Sequence, residues 1–304
     1  MTVIAVVGPT ASGKSALALR LAEEINGEIV NADSMQVYRG MDIGTAKPTA
    51  ADMSRVPHHG FDLWPPSHDV SVAEFQQVAR EGIAACLRHD VTPIVVGGSG
   101  LYVSAILDEF AFPGTDPVVR ARLEEELSAV GSQALHAQLA GLDPRAAAAI
   151  LPSNGRRIVR ALEVIEITGE PFVASLPAPT SVYPTVRIGL DIPREQLDAR
   201  IAARVDVMWA CGFVSEVQRL RADGLAQCRT ASRALGYQQV LDFLEGRITE
   251  DQARAQTIDA TRRFARRQQR WFRRDRRIGW IPYDAADSLD RALDLVRRGP
   301  VTDT

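Results

Sequence analysis

The hydrophobic pattern of the first hundred residues alternates between short apolar runs and amphipathic segments. Apolar runs stand at 2–7 (TVIAVV), 27–33 (GEIVNAD) and 93–98 (PIVVGG). Helical spacing of apolar residues marks 15–25 (SALALRLAEEI) and 72–89 (VAEFQQVAREGIAACLRH). Short buried strands that alternate with helices predict a parallel sheet whose connections are right-handed.

The pattern changes to helical spacing alone between about 115 and 180. Pro117 and Pro144 each stand where a helix is predicted to begin, because proline suits the first helical turn. The segment 175–184 (SLPAPTSVYP) reads as an exit linker, after which 185–192 (TVRIGLDI) returns to strand character. These changes predict a helical insertion domain at 115–184 within a core formed by 1–114 and 185–304.

The remainder of the core is predicted to be mainly helical. Three helices are expected at 197–224, 231–246 and 248–275, followed by a short strand at 278–284 (IGWIPYD). The pattern therefore predicts an α/β fold class, with a parallel sheet, a helical insertion and a helical C-terminal part.

Composition is that of an ordinary globular protein. Hydrophobic residues make up 46% of the 304 positions, charged residues 24%, and the mean hydropathy is −0.08. No apolar stretch approaches the roughly 20 residues of a membrane span, so we expect a cytoplasmic protein without a membrane partner. Cys86, Cys211 and Cys228 lack the spacing of a disulfide framework or a thiolate zinc site. Because adjacent side chains point apart, His58 and His59 favour a loop role over a metal site.

Arginines are concentrated near the C-terminus although the net charge is −3. All basic residues except Lys14 and Lys47 are arginine, and nine arginines fall between Arg262 and Arg277. The apolar spacing predicts an amphipathic helix with an arginine-rich outer face. That face is typical either of a solvated surface or of a nucleic-acid backbone contact, and the aromatic residues among the arginines favour the second.

Residues 8–15 (GPTASGKS) match the phosphate-binding pattern G-x-x-x-x-G-K-[ST] between a strand and a helix. Glycines let backbone N–H groups turn toward phosphate oxygens, and the helix N-terminus adds partial positive charge. Lys14 is expected to neutralise the distal phosphate and Ser15 to bind Mg²⁺. The predicted phosphate-binding residues are Gly8, Thr10, Ala11, Ser12, Gly13, Lys14 and Ser15.

The acid that usually follows a neighbouring strand in motor and switch NTPases is missing, because 93–100 (PIVVGGSG) ends in glycines and Ser99. Asp33 is available instead at the end of the second strand, where ligands bind in parallel sheets. It would accept a proton, hold Mg²⁺ through water, or only cap a turn. The residues alone predict a transferase with a phosphorylated donor, most simply a small-molecule kinase.

Several motifs together resemble the tRNA dimethylallyltransferase family. They are GPTASGKS (8–15), DSMQVYRGMDIGTAKPT (33–49), VPHHGFD (56–62), GGSGLY (97–102) and NGRRIVRALEV (154–164), and the likeness extends from about residue 3 to 285. The resemblance implies transfer of a dimethylallyl group from dimethylallyl diphosphate to N6 of the adenosine 3′ of a tRNA anticodon. It also implies a P-loop core, an insertion that holds the anticodon stem-loop, Mg²⁺ as cofactor and, we expect, a monomer.

The resemblance assigns roles to individual positions. Asp33 is the expected base, Ser99 its hydrogen-bonding helper, and Arg204 stabilises the departing diphosphate, with Arg200 one turn earlier. Because a stacked adenine cannot reach the donor, the base must flip into the site. The implied tRNA-contacting residues are Ser34, Met35, Gln36, Arg120, Arg156, Arg157, Arg160, Arg233 and Gln238. Lys47 lies near the donor or the RNA in this interpretation, without an assigned role.

Three other functions remain open at this level. An adenylate isopentenyltransferase acting on free AMP would need neither the insertion nor the arginine-rich segment. A P-loop kinase would transfer the γ-phosphate of ATP to a small metabolite. A non-catalytic RNA-binding protein would retain the loop as a relic.

Overall fold

The structure, a computed structural model, describes residues 1–110, 112–172 and 180–301. The first half of the predicted exit linker, residues 175–179 of 175–184, lies outside the described residues. The strands are β1 (Val3–Val7), β2 (Gly27–Asn31), β3 (His58–His59), β4 (Thr92–Gly97), β5 (Thr185–Asp191) and β6 (Ile278–Pro282). All pairs are parallel, in the order β3-β2-β4-β1-β5-β6. The predicted α/β class with a parallel sheet is confirmed.

The α-helices of the described chain lie between and after the strands. They are α1 (Lys14–Glu24), α2 (Ala50–Arg55), α3 (Val72–Arg88), α4 (Gly100–Leu107), α5 (Pro117–Leu142), α6 (Pro144–Ala149), α7 (Gly155–Thr168), α8 (Arg194–Ala210), α9 (Phe213–Ala222), α10 (Tyr237–Leu244), α11 (Glu250–Phe272) and α12 (Ser288–Arg298). The sequence interpretation did not include α12.

Strand β1 lies in the middle of the sheet because both of its faces are apolar. Val3, Ala5 and Val7 belong to one core, and Ile4 and Val6 belong to the core on the opposite face. All five residues are at most 1% exposed. Burial on both faces is typical of a parallel sheet covered by helices. Because β1 and β4 pair in parallel, the loops that follow them lie at the same edge of the sheet.

The chain divides into two compact units: residues 1–108 with 181–304, and residues 109–180. The boundaries that we predict from sequence, 115 and 184, lie a few residues further along. Helices α5, α6 and α7 enclose a separate core in the second unit, which contains Leu123, Leu135 and Leu162. Helix α5 is interrupted at Gly131, whose φ of 81° is not helical.

Two segments of the first unit differ from the predicted helices. The pattern at 197–224 predicts one helix, but the chain turns at Gly212, whose φ of 91° suits a residue without a side chain. The result is two helices, α8 and α9. The segment 231–246 begins with a 3₁₀ turn at Ala231–Arg233 before α10 starts.

Arg277, the last arginine of the arginine-rich segment, is buried, which corrects the prediction of an exposed face as far as this residue. Helix α11 ends at Phe272, and Arg277 is 7% exposed. Its guanidinium group donates to Asp108 and Asp275, and Arg187 of β5 pairs with the same two carboxylates. Periodicity alone cannot show this, because Asp108 and Arg187 lie far from Arg277 in the chain.

No helix among the described residues has the length and apolar character needed to span a membrane.

Candidate active site

The loop between β1 and α1 has the backbone geometry of an anion site. Gly13 adopts a φ of 99°, and Leu17 N–H donates to its carbonyl oxygen at 3.1 Å in the first helical hydrogen bond. The N–H groups of Lys14, Ser15 and Ala16 therefore precede the helical ladder and have no intrahelical acceptor. These N–H groups and the helix dipole favour a phosphate at this position.

The Lys14 ammonium group lies in this loop, 3.4 Å from the carbonyl oxygen of Pro9. Burial and, to a smaller extent, the Arg204 guanidinium lower the pKa of Lys14 to about 8, although the Asp33 carboxylate opposes them. A second negative charge beside Lys14 would raise this pKa toward its usual value, so the site is adapted to an anionic ligand.

Two arginines of α8 contact the loop from the other side. Arg204 Nη1 lies 3.2 Å from Thr10 Oγ1, and Arg200 Nε donates to the Ala11 carbonyl oxygen at 2.8 Å. The guanidinium of Arg200 also stacks on the ring of Tyr283, 5.5 Å from its centre. Burial lowers the pKa of Arg204, while Asp33 raises it. Arg204 of α8 is therefore part of the site and contacts the phosphate loop through Thr10.

Two cavities open beside the loop. The loop cavity, about 540 Å³, is lined by Thr10, Gly13, Lys14, Ser15 and Arg200 among others. The larger cavity, about 610 Å³, is lined mainly by apolar and aromatic side chains, including Met35, Tyr102, Met208, Phe264 and Trp271. Thr10, Asp33, Thr45 and Arg204 line both. These four residues form a common border at which two ligands can meet.

Asp33 is held at this border by the end of β2. Asn31 Oδ1 accepts the Asp33 N–H at 2.7 Å, and Asn31 Nδ2 donates to the Asp33 carbonyl oxygen at 3.1 Å. One carboxylate oxygen accepts the Met35 N–H at 2.9 Å. The turn role left open from the sequence is thus present. The second carboxylate oxygen makes no hydrogen bond within the described chain, so it is available to a ligand.

Ser99 lines the larger cavity with Asp33. It occupies the N-cap position of α4, yet its hydroxyl makes no capping hydrogen bond. Serine at this position usually caps the helix. The hydroxyl is therefore free to contact a bound molecule.

Sequence reasoning missed Gln268, which joins the two loops of the site. Its Oε1 accepts the Thr10 N–H at 2.9 Å, and its Nε2 donates to the Gly98 carbonyl oxygen at 2.9 Å. The side chain is buried. A Cβ at Gly98 would lie 2.4 Å from Gln268 Nε2, so glycine is required there. A signal was available, because Gln268 falls on the apolar stripe of α11 with Ala265 and Phe272.

The predicted tRNA-contacting residues of the first unit fall into two groups. Ser34, Met35 and Arg233 line the larger cavity. Gln36 lines the loop cavity, and its Nε2 donates to the carbonyl oxygen atoms of Thr45 at 3.0 Å and Ala46 at 3.1 Å. Gln238 lines neither cavity and donates to Asp242. The structure thus brings Ser34, Met35, Gln36 and Arg233 to the cavities, and leaves Gln238 outside their walls.

The four predicted arginines of the second unit are also of two kinds. Arg120 and Arg160 pair with Glu163, whose side chain is 0% exposed. These guanidinium groups lower the pKa of Glu163 against the opposing effect of burial. Arg156 and Arg157 lie in the first turn of α7 and are exposed.

Lys47 does not line either cavity. Its ammonium group donates to the carboxylates of Asp42 and Asp62 and to the Tyr38 carbonyl oxygen. The side chain is 4% exposed. Lys47 therefore stabilises the segment after Asp33, a structural role that the sequence did not indicate.

The loop cavity contains oxygen donors suited to Mg²⁺. The Ser15 hydroxyl and the Asp33 carboxylate both line it, and the hydroxyl makes no hydrogen bond to the described residues. Magnesium prefers such oxygen ligands together with water and substrate phosphates. The residues present therefore fit the predicted ion.

A phosphate loop, a positioned carboxylate and a larger apolar cavity at one edge of a parallel sheet define a P-loop-type group-transfer enzyme. The family model described as IPP transferase matches residues 36–275, and the model described as isopentenyl transferase matches residues 1–58. The chain belongs to the IPP transferase family and is a transferase.

Individual relatives agree with this assignment. A tRNA dimethylallyltransferase of Streptomyces coelicolor is 61% identical over 303 residues, covering 99% of this chain and 97% of the relative. The crystal structure of a tRNA isopentenylpyrophosphate transferase from Bacillus halodurans superimposes with a TM-score of 0.69 at 39% identity, covering 97% of this chain and 99% of that one. A eukaryotic dimethylallyltransferase acting on tRNA shares the fold, with a TM-score of 0.83 at 24% identity, covering 99% and 81% of the two chains.

The Gln268 link can be tested with inorganic diphosphate. Gln268→Leu leaves the half-buried Thr10 N–H and the buried Gly98 carbonyl oxygen unpaired, so we expect the free energy of unfolding to fall by about 1–3 kcal/mol. Displacement of the loop should also weaken diphosphate binding about 10- to 100-fold, measured by calorimetry. Gln269→Leu is the control, because the Gln269 side chain donates to the Ile192 carbonyl oxygen and makes no hydrogen bond to the loop among the described residues. Equal diphosphate affinity in both variants would contradict the link.

The lowered pKa of Lys14 predicts a pH dependence of diphosphate binding. In the empty site Lys14 loses its proton near pH 8, whereas a bound anion raises its pKa. The attraction is therefore complete below pH 8 and is lost above it, so Kd should rise up to about tenfold between pH 7 and 9. Lys14→Met should bind weakly at both pH values and lack this rise. A rise of the same size in Lys14→Met would rule out Lys14 as its source.

Proposed function

We propose that this chain transfers a dimethylallyl group from dimethylallyl diphosphate to N6 of the adenosine on the 3′ side of a tRNA anticodon, with release of diphosphate. The observation that carries this proposal is the border shared by the two cavities. Asp33 and Arg204 both stand there, between a cavity built for phosphates and a larger one lined by aromatic residues. The names of the relatives support the choice of donor and acceptor.

The loop holds a leaving group in this reaction. The bond that breaks joins the allylic carbon to the diphosphate oxygen, and its electron pair leaves with the diphosphate. Negative charge therefore grows on the oxygen atoms that face the backbone N–H groups and Lys14. Arg204, next to Thr10, stabilises the same charge from the other side. No water needs to be activated, which agrees with the lack of the usual second acid after β4.

The acceptor enters the larger cavity. The adenine amino group is a poor nucleophile because its lone pair is delocalised into the ring, so a base must remove a proton as the new N–C bond forms. Asp33 is placed to accept this proton through its unbound carboxylate oxygen, and the Ser99 hydroxyl orients the amine. Tyr102, Phe264 and Trp271 provide surfaces for a flipped base.

Mg²⁺ is the proposed cofactor. Ser15 would hold it, and Asp33, which lines the same cavity, would take part through water. The ion, when bound, supplies further positive charge beside the diphosphate. The chain's own groups orient the diphosphate through the loop N–H groups and Lys14.

The second unit is proposed to bind the anticodon stem-loop. Arg156 and Arg157 expose their side chains at the start of α7, where the helix dipole adds to their charge. Arg120 and Arg160 are ordered by Glu163, so less conformational entropy is lost when they meet RNA phosphates. Gln238 remains a predicted RNA contact. A monomer in the cytoplasm remains our expectation.

One experiment separates this function from its alternatives. The protein is incubated with labelled dimethylallyl diphosphate and either an anticodon stem-loop RNA or AMP. We expect label in the RNA alone. Label in AMP would indicate an adenylate isopentenyltransferase, and γ-phosphate transfer from ATP to a metabolite would indicate a kinase. Binding of RNA without any transfer would indicate a non-catalytic protein.

Asp33→Asn tests the proposed base. Asparagine keeps an oxygen that can accept the Met35 N–H, but it cannot take a proton. We expect turnover to fall about 10²- to 10⁴-fold, while affinity for the stem-loop RNA stays unchanged. Asp90→Asn, an exposed change that lines neither cavity, is the control. Unchanged turnover in Asp33→Asn would remove Asp33 from the role of base.

A further inference from the structure

Three side chains with different metal-binding atoms converge away from both cavities. His59 Nε2 lies 2.6 Å from Glu28 Oε2, and Cys86 Sγ lies 3.5 Å from that oxygen and 3.7 Å from His59 Nε2. None of the three lines the loop cavity or the larger cavity. Imidazole, thiolate and carboxylate are all common ligands of zinc.

The spacing of these atoms fits tetrahedral coordination. Zn–S bonds of about 2.3 Å and Zn–N or Zn–O bonds of about 2.0–2.1 Å place sulfur about 3.5–3.6 Å from the other ligands. The two distances from Cys86 Sγ already have this size. Only the hydrogen-bonded pair of His59 and Glu28 must separate, by roughly 0.7 Å, for an ion to enter between them.

The local fold explains why the three residues meet. Val30 is paired with His59 in the β2–β3 ladder, and Glu28 lies two residues before Val30, on the same face of the strand. Helix α3 packs on this face. Gly82 leaves space for His59, since a Cβ there would lie 3.2 Å from His59 Cβ. Cys86 follows one helical turn later and so presents its thiol to the same point.

The site has access and charge suited to a cation. Side chains of His59 and Glu28 are 31% and 21% exposed, whereas Cys86 is buried. An ion can therefore enter from solvent and keep a water molecule as its fourth ligand. The Glu28 carboxylate oxygen, next to both His59 Nε2 and Cys86 Sγ, supplies the negative charge.

We propose that Glu28, His59 and Cys86 bind one Zn²⁺, with water in the fourth position, as a structural site that joins β2, β3 and α3. Strand β3 has only two residues and lies at the edge of the sheet. A zinc ion would fix this edge strand to the strand and the helix beside it. The sequence did not indicate this site, because the ligands are separated by 31 and 27 residues and form no short motif.

The full-length reduced protein, freed of metal, is titrated with Zn²⁺ against a chromophoric chelator. We expect one ion per chain and a rise of several degrees in Tm. Co²⁺ should give thiolate-to-metal charge-transfer absorption with the unchanged protein. Lack of this absorption together with lack of a stoichiometric Zn²⁺ site would overturn the proposal.

Variants identify the ligands. Cys86→Ala and His59→Gln should each weaken zinc binding by more than the roughly 10- to 100-fold typical of losing an outer-shell partner. Glutamine at 59 can still donate to Glu28, so the metal-free fold is preserved. Cys211→Ser, which changes an exposed cysteine, should bind like the unchanged protein. Retained zinc affinity in both Cys86→Ala and His59→Gln would place the ion elsewhere and refute the site.

Discussion

A single buried amide sets the distance between the two loops on which the site depends. The loops follow adjacent parallel strands, β1 and β4, and both must keep some backbone polar groups free for ligands. Gln268 satisfies one donor on Thr10 and one acceptor on Gly98 at once. Because it belongs to α11, the same contact positions Phe264 and Trp271 over the larger cavity. The phosphate loop and the aromatic wall are thus parts of one hydrogen-bonded arrangement.

The site has an excess of positive charge, because two cations, Lys14 and Arg204, face one carboxylate, Asp33. This excess favours an anionic ligand. Burial lowers the pKa of both Lys14 and Arg204, the Arg204 guanidinium lowers that of Lys14 as well, and Asp33 opposes these effects only in part. A doubly charged anion removes the imbalance when it binds. When the carbon–oxygen bond breaks, the bonding electrons stay on the diphosphate, and the same two cations stabilise this added negative charge. Ground-state binding and stabilisation of the leaving group therefore have the same electrostatic origin.

Local sequence was sufficient for the features that depend on neighbouring residues. The phosphate loop, the strands β1, β2 and β4, and the position of Asp33 after β2 follow from spacing and strand order, and the comparisons confirm the family and the fold class. Gln268 was missed because its partner Thr10 is 258 residues away. Arg277 was misjudged for the same reason, since its charge partner Asp108 lies on a distant segment. Contacts between distant segments leave no periodic trace in the chain.

The buried ion pairs around Arg277 stand where the chain leaves the first unit and returns to it. Asp108, the last residue before the second unit, forms an antiparallel bridge with Ser181, the first residue after it. Arg187 and Arg277 contact both residues. The two ends of the inserted segment therefore emerge side by side from a fixed stem. Because the chain leaves and re-enters the first unit at neighbouring points, a change in the length of the inserted segment does not require a change in the register of the sheet.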